Sequence, residues 1–142
     1  MAGYHRQDEE ERKESQRLAK ELVKVAAMYL PIAQKITDED MKLIIPSTNA
    51  DFVNVGNKLA ICVGSNNYDQ KMAKRKCLIV FVYKNNEPLE CCELVNEAHH
   101  LKINQLRGKH NQPSKYHEKA EELVNQFIQS CHKTKTLSSV GA

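Results

Sequence analysis

Lys76-Cys77-Leu78-Ile79-Val80-Phe81-Val82-Tyr83 is the stretch that decides the fold. It is apolar from Cys77 to Val82 without alternation, so it predicts a strand covered on both faces. Asn85-Asn86-Glu87-Pro88 then gives a hairpin-type turn, and Leu89 to Val95 is the return strand. Leu101 to Leu106 reads as a third strand, after a loop carrying His99 and His100. Arg107 to Pro113 is a polar connection. Ahead of the run, an extended segment or short strand is expected over 42–46. The acidic triplet Asp38-Glu39-Asp40 before it would by itself suit a helix start.

Helices flank these strands. Leu18, Leu22, Val25 and Tyr29 recur at helical spacing, which predicts a helix from residue 7 to about 30, ended or kinked by Pro31. Phe52, Val55 and Leu59 predict a second helix over about 50–61, broken at Gly64-Ser65-Asn66-Asn67 with Gly64 as its left-handed cap. Tyr116, Ala120, Leu123, Val124, Phe127 and Cys131 stripe a last helix over about 114–132. The expected class is α+β: an antiparallel meander of three to four strands packed against helices, with a long helix at each end. The chain divides into an N-terminal helix and lead-in (1–36), an α+β domain (37–133) and a flexible tail (134–142), together one compact unit.

Composition narrows the classes. The chain has 142 residues and a formal charge of +3, with 41% hydrophobic and 27% charged residues. Those fractions suit one globular domain and exclude disorder throughout. Five cysteines, two of them adjacent (Cys91-Cys92), do not read as a disulfide framework. No apolar run is long enough to span a bilayer, and the N-terminal stretch is charged, without an apolar signal core. A reduced cytoplasm is the expected location.

Several short pieces in order carry a pattern: Gly56-Asn57-Lys58-Leu59, Cys62-Val63-Gly64-Ser65, Tyr68, the apolar strand, Glu93, then Gln105-Leu106-Arg107-Gly108 with Asn111. This resembles the PcfJ-like family of bacterial plasmid, integrated-element and phage proteins, over about residues 42–132 and most strongly over 56–111. The family pattern has a Gly and an apolar residue before Cys-Val-Gly, a strand pair carrying a Glu, and a closing Gln-x-x-Gly-x-x-Asn. The chain departs from it in two places. Asn57 stands where an acidic or small polar residue is expected. Ala60-Ile61 stands where an aromatic residue or His often precedes the Cys, so no role for such a His carries over. The resemblance implies fold and context more than chemistry.

The chemistry is then weighed residue by residue. In the third strand Leu101, Ile103, Gln105 and Arg107 are expected to share a face, which begins in the core and ends in polar donors. Arg107 offers a planar fork for phosphate or carboxylate, Gly108 permits a tight turn or close approach to a ligand, and Gln105 and Asn111 can hold a base edge or a backbone group. The competing reading is bracing, with Arg107 paired to Glu93 and the two amides satisfying loop backbone. Lys71, Lys74, Arg75, Lys76 and Lys109 supply positive charge around these residues, as a shared patch or as ordinary solvated surface. Tyr68 could stack once, and the amides from Ser65 to Asn67 could hold an anion if a helix opens at Tyr68. Cys62 is a weak nucleophile candidate, with His100 or His110 as a distant base. No metal-ligand spacing occurs among the Cys and His residues, and no cofactor is implied.

The preferred expectation is a small non-enzymatic module binding a nucleotide or nucleic-acid phosphate. A protein–protein inhibitor or adaptor acting on a host defence protein is the second, and a thiol hydrolase the third. No membrane partner is expected. The exposed N-terminal helix could support a homo-oligomer.

Overall fold

The apolar run forms the middle strand of a five-stranded antiparallel sheet. The computed structural model describes residues 2–134, with side chains from residue 7 onward; most of the expected tail lies outside the described residues. The elements in chain order are α1 (Ala2–Ala33), β1 (Thr37–Asp38), β2 (Met41–Ile44), α2 (Asn49–Leu59), α3 (Tyr68–Ala73), β3 (Leu78–Lys84), β4 (Glu87–Glu97), β5 (His100–Arg107) and α4 (His117–Thr134). Single 3-10 turns occur at Cys62–Gly64 and Lys109–Asn111. The strand order is β1-β2-β3-β4-β5, so β3 has a partner on each edge. The class is α+β with a helix at each end, and the sheet has one strand more than the sequence suggested.

Leu78 to Val82 are all buried because helices cover both faces of the sheet. Phe52 of α2 meets Phe81 edge-on, with ring centroids 5.9 Å apart. On the opposite face α4 crosses β2, β4 and β5. Helix α1 packs against α3, α4 and β2, and Tyr29 meets Phe127 at 6.1 Å. Its buried stripe runs from Leu18 to Ala33, while residues 7–17 are all exposed. That exposed part is held by short-range pairing, such as Arg17 Nη2 to Glu14 Oε1 at 2.8 Å. Pro31 lies in the last turn, two residues before the helix ends at Ala33.

Of three turns in the sheet, the Asn85-Asn86 turn is as the sequence implies and the other two differ from a plain reading of it. The acidic triplet starts no helix; Glu39 and Asp40 form the tip of the β1–β2 hairpin, with Glu39 at φ 53°. Asn85 and Asn86 (φ 52° and 64°) make the two-residue turn whose twist matches that of the strands. Ala98 and His99 (φ 53° and 65°) make another, so His100 belongs to β5.

The cap of α2 is a correction. Thr48 and Asp51 form a capping box at its start, and its left-handed cap is Ala60 at φ 53°, four residues before Gly64. Gly64 is a contact glycine. A Cβ there would lie 2.8 Å from Val53 Cα and 3.0 Å from the Phe52 carbonyl oxygen. The 3-10 turn therefore lies backbone to backbone against α2.

Candidate ligand-binding cleft

A bulge in β5 decides which side chains meet. Glu93 pairs with Gln105 and Leu94 with Ile103, leaving Asn104 as the extra residue. One inserted residue reverses the alternation. Leu101, Ile103 and Leu106 therefore share the α4 face with Leu94 and Cys92, while Gln105 and Arg107 turn to the α2 face with Cys91 and Glu93. The single face expected for Leu101, Ile103, Gln105 and Arg107 does not exist. The two polar side chains are separated from the apolar pair by the thickness of the sheet.

On the α2 face a cleft of about 460 Å³ lies between the sheet and the segment Ile61–Tyr68. Ile61, Val63, Tyr68 and Ile79 form its apolar wall, and Asn66, Glu93, Gln105, Arg107 and Asn111 its polar one. Cys62 and Cys91 complete it. The contact between Gly64 and α2 holds Ile61 to Val63 over the sheet. The turn after β5 carries His110 and Asn111 at φ 57° and 62°, which brings Asn111 back beside Arg107.

Arg107 is exposed, and its Nη1 donates to the Asn111 carbonyl at 3.4 Å. Among the described residues no carboxylate lies within 4.0 Å of its guanidinium, so the bracing pair with Glu93 is not formed. Glu93 instead accepts from Asn104 Nδ2 at 2.8 Å. Gln105 and Asn111 are exposed and are not buried braces. The Tyr68 hydroxyl is pushed above its ordinary pKa by burial, with nearby Glu93 adding to the effect. Lys71 Nζ stands 4.5 Å from the Tyr68 ring centroid and brings one further cation to the rim.

Other expected members lie elsewhere. Lys74, Arg75, Lys76, Lys109 and Ser65 do not line the cleft. Lys74 faces α1, close enough to Glu14 to add to the lowering of that carboxyl, which comes mainly from the Arg17 hydrogen bond. The Ser65 and Asn66 amides both donate to the Cys62 carbonyl, at 3.0 and 3.1 Å, so two of the amides expected to hold an anion are already used. Gly108 is buried away from the cleft; a Cβ there would meet the Gln112 and Leu89 carbonyl oxygens at 3.0 and 3.1 Å. Its close approach is to protein backbone.

Cys62 opens the 3-10 turn and is exposed, whereas Cys77, Cys91, Cys92 and Cys131 are buried. Among the described residues no histidine lines the cleft, so none of them gives Cys62 a base there. His100 stacks with His132 at 4.9 Å instead. Burial pushes the thiols of Cys77, Cys91 and Cys131 up to about 12, and that of Cys92 well upward. A thiol reagent applied to the folded protein at mildly alkaline pH should therefore label Cys62 alone. All five should react after unfolding, and peptide mapping distinguishes the two patterns. Among the described residues no group of three or more His, Cys, Asp or Glu side chains is placed to hold a metal ion.

The sequence reading missed Glu90. It is fully buried and the sole buried charged residue among those described. Its Oε2 accepts from the Ser114 backbone N–H at 3.0 Å and from the Ser114 hydroxyl. His117 Nδ1 lies 2.7 Å from its Oε1. The signal was strand parity: Glu90 alternates with Cys92 and Leu94 on the face that α4 covers.

A family model for PcfJ-like protein matches residues 3–124. The match takes in α1, the whole sheet and the first turns of α4. No curated protein and no solved structure gives a significant match.

Proposed function

The chain belongs to the PcfJ-like family, and we propose that it is a small non-enzymatic binding module holding a nucleotide or nucleic-acid phosphate in this cleft. One observation carries the reading. Gln105, Arg107 and Asn111 line one cavity with Glu93 of the neighbouring strand and with Cys62 and Tyr68, which lie far from them in the chain, and among the described residues no carboxylate pairs with the Arg107 fork. An unpaired guanidinium beside amide side chains and an apolar wall suits an anion attached to a flat, partly apolar body. Lys71 adds charge at the rim. Lys74, Arg75, Lys76 and Lys109 act at longer range, through the field around the site.

The test is binding of nucleotides and short single strands to the intact chain. Arg107→Ala should weaken binding about tenfold or more, because a charge-assisted, bidentate contact is removed. The melting temperature should stay unchanged, since Arg107 is exposed. Binding should also weaken as salt rises. Equal affinity of the variant and the wild type would sink the reading.

A second reading rests on a separate groove. Leu18, Leu22 and Val23 of α1 border a depression of about 350 Å³ beside Thr48, Asp69 and Gln70. Val23 is 52% exposed. An adaptor or inhibitor using that surface would form a salt-tolerant protein complex that survives Arg107→Ala. Either module would suit an accessory role in DNA transfer by a bacterial mobile element. It would equally suit sequestration of a host signalling nucleotide or blunting of a host defence protein.

A further inference from the structure

The cleft holds two opposite charges that do not neutralise each other. Arg107 and Glu93 both line it, yet no ion pair within 4.0 Å joins them. Each is held by a neutral partner, Arg107 Nη1 by the Asn111 carbonyl and Glu93 Oε1 by Asn104. That leaves the Nε and Nη2 edge of Arg107 and the Oε2 of Glu93 without hydrogen bonds among the described residues. A site of this kind is bipolar: it offers a fork to an anion and an acceptor to a donor.

The apolar wall lies in the same cavity. Ile61, Val63 and Ile79 can cover a flat ring, and a volume of about 460 Å³ falls within the ordinary range for small-molecule sites. The positive charge is limited. Among the described residues Arg107 is the one cation of the lining, and Lys71 stands at its edge. A strand of nucleic acid would bring several phosphates past Glu93, whose charge repels them, without the lysine track that such binding needs.

We infer that the cleft takes a single nucleoside monophosphate bearing an exocyclic amine, with the phosphate on Arg107 and the amine donating to Glu93. The inference rests on the phosphate-binding reading above and narrows it to a ligand class. The amine is what Glu93 selects. A ring that presents a carbonyl oxygen at that position sets acceptor against acceptor and leaves a half-buried carboxylate unsatisfied.

Calorimetric titration of the full chain with AMP, CMP, UMP, adenosine and a short single-stranded oligonucleotide tests it. AMP and CMP should bind at least about tenfold more tightly than UMP, adenosine or the oligonucleotide, the size expected for one unsatisfied polar group or one lost charge-assisted contact. Glu93→Gln should erase the preference for AMP over UMP. Arg107→Ala should weaken AMP and UMP alike. Melting curves of both variants confirm that they fold. Equal binding of AMP and UMP, or an oligonucleotide bound more tightly than AMP while still requiring Arg107, overturns the inference and leaves the phosphate reading standing. If no nucleotide or oligonucleotide depends on Arg107, the phosphate reading itself fails.

Discussion

Glu90→Ala should destabilise the fold by about 3 kcal/mol, lowering the melting temperature by roughly 10 °C. The carboxylate is fully buried on the face covered by α4. It holds the Ser114 amide and hydroxyl with one oxygen and lies against His117 with the other, and so fastens the start of α4 to the centre of the sheet. Alanine removes these partners together and leaves a cavity under the first turn of the helix. The loss falls at the lower end of the range for a broken buried pair, because the His117 side chain is 30% exposed and can turn to water. Glu90→Gln should cost less, since its amide oxygen can still accept from Ser114. Denaturant unfolding followed by circular dichroism measures both variants. A loss under about 1 kcal/mol for the alanine variant would show that α4 is held by its apolar stripe alone.

Gly64→Ala should cost about 2 kcal/mol and also disturb the cleft. The added methyl would fall 2.8 Å from Val53 Cα and 3.0 Å from the Phe52 carbonyl oxygen, both backbone atoms of α2 that cannot rotate aside. The 3-10 turn must therefore move away from α2. Ile61, Cys62 and Val63 are part of it or adjoin it, so the apolar wall moves with it. Unfolding curves read the first effect. The rate of Cys62 labelling in the folded protein reads the second, and it should change in the variant. A variant with wild-type stability and wild-type labelling would mean that the turn has slack the geometry does not show.

Much of the architecture was legible because local chemistry dictates it. Leu78 to Val82 could be read as a doubly covered strand from unbroken apolarity, and the Asn85-Asn86 turn from residues that accept positive φ. The helical stripes of α1, α2 and α4 followed from periodicity. The cap of α2 was not legible, because Ala60 takes a left-handed conformation that its residue type does not announce. The nearby glycine drew that role, while its real constraint, contact with Val53, comes from a residue eleven positions earlier. The bracing alternative, an Arg107–Glu93 pair, is not formed: Arg107 lies opposite Cys91, Gln105 lies opposite Glu93, and Glu93 accepts from Asn104, the bulge residue.

The sequence by itself determined the class of fold, the order of its main elements and the family, since these rest on patterns within short windows and on the order of a few motifs. Only the tertiary structure decided which of the motif residues form a site. It turned Gln105 and Arg107 away from Leu101 and Ile103 through the bulge at Asn104, and it brought Cys62 and Tyr68 over them from the other side of the β3–β4 hairpin. It left Lys74, Arg75, Lys76 and Lys109 outside the cleft and placed Glu90 beneath α4. The physical reason is the two-residue period of a strand. One inserted residue exchanges the faces of every side chain beyond it, and composition carries no trace of that exchange.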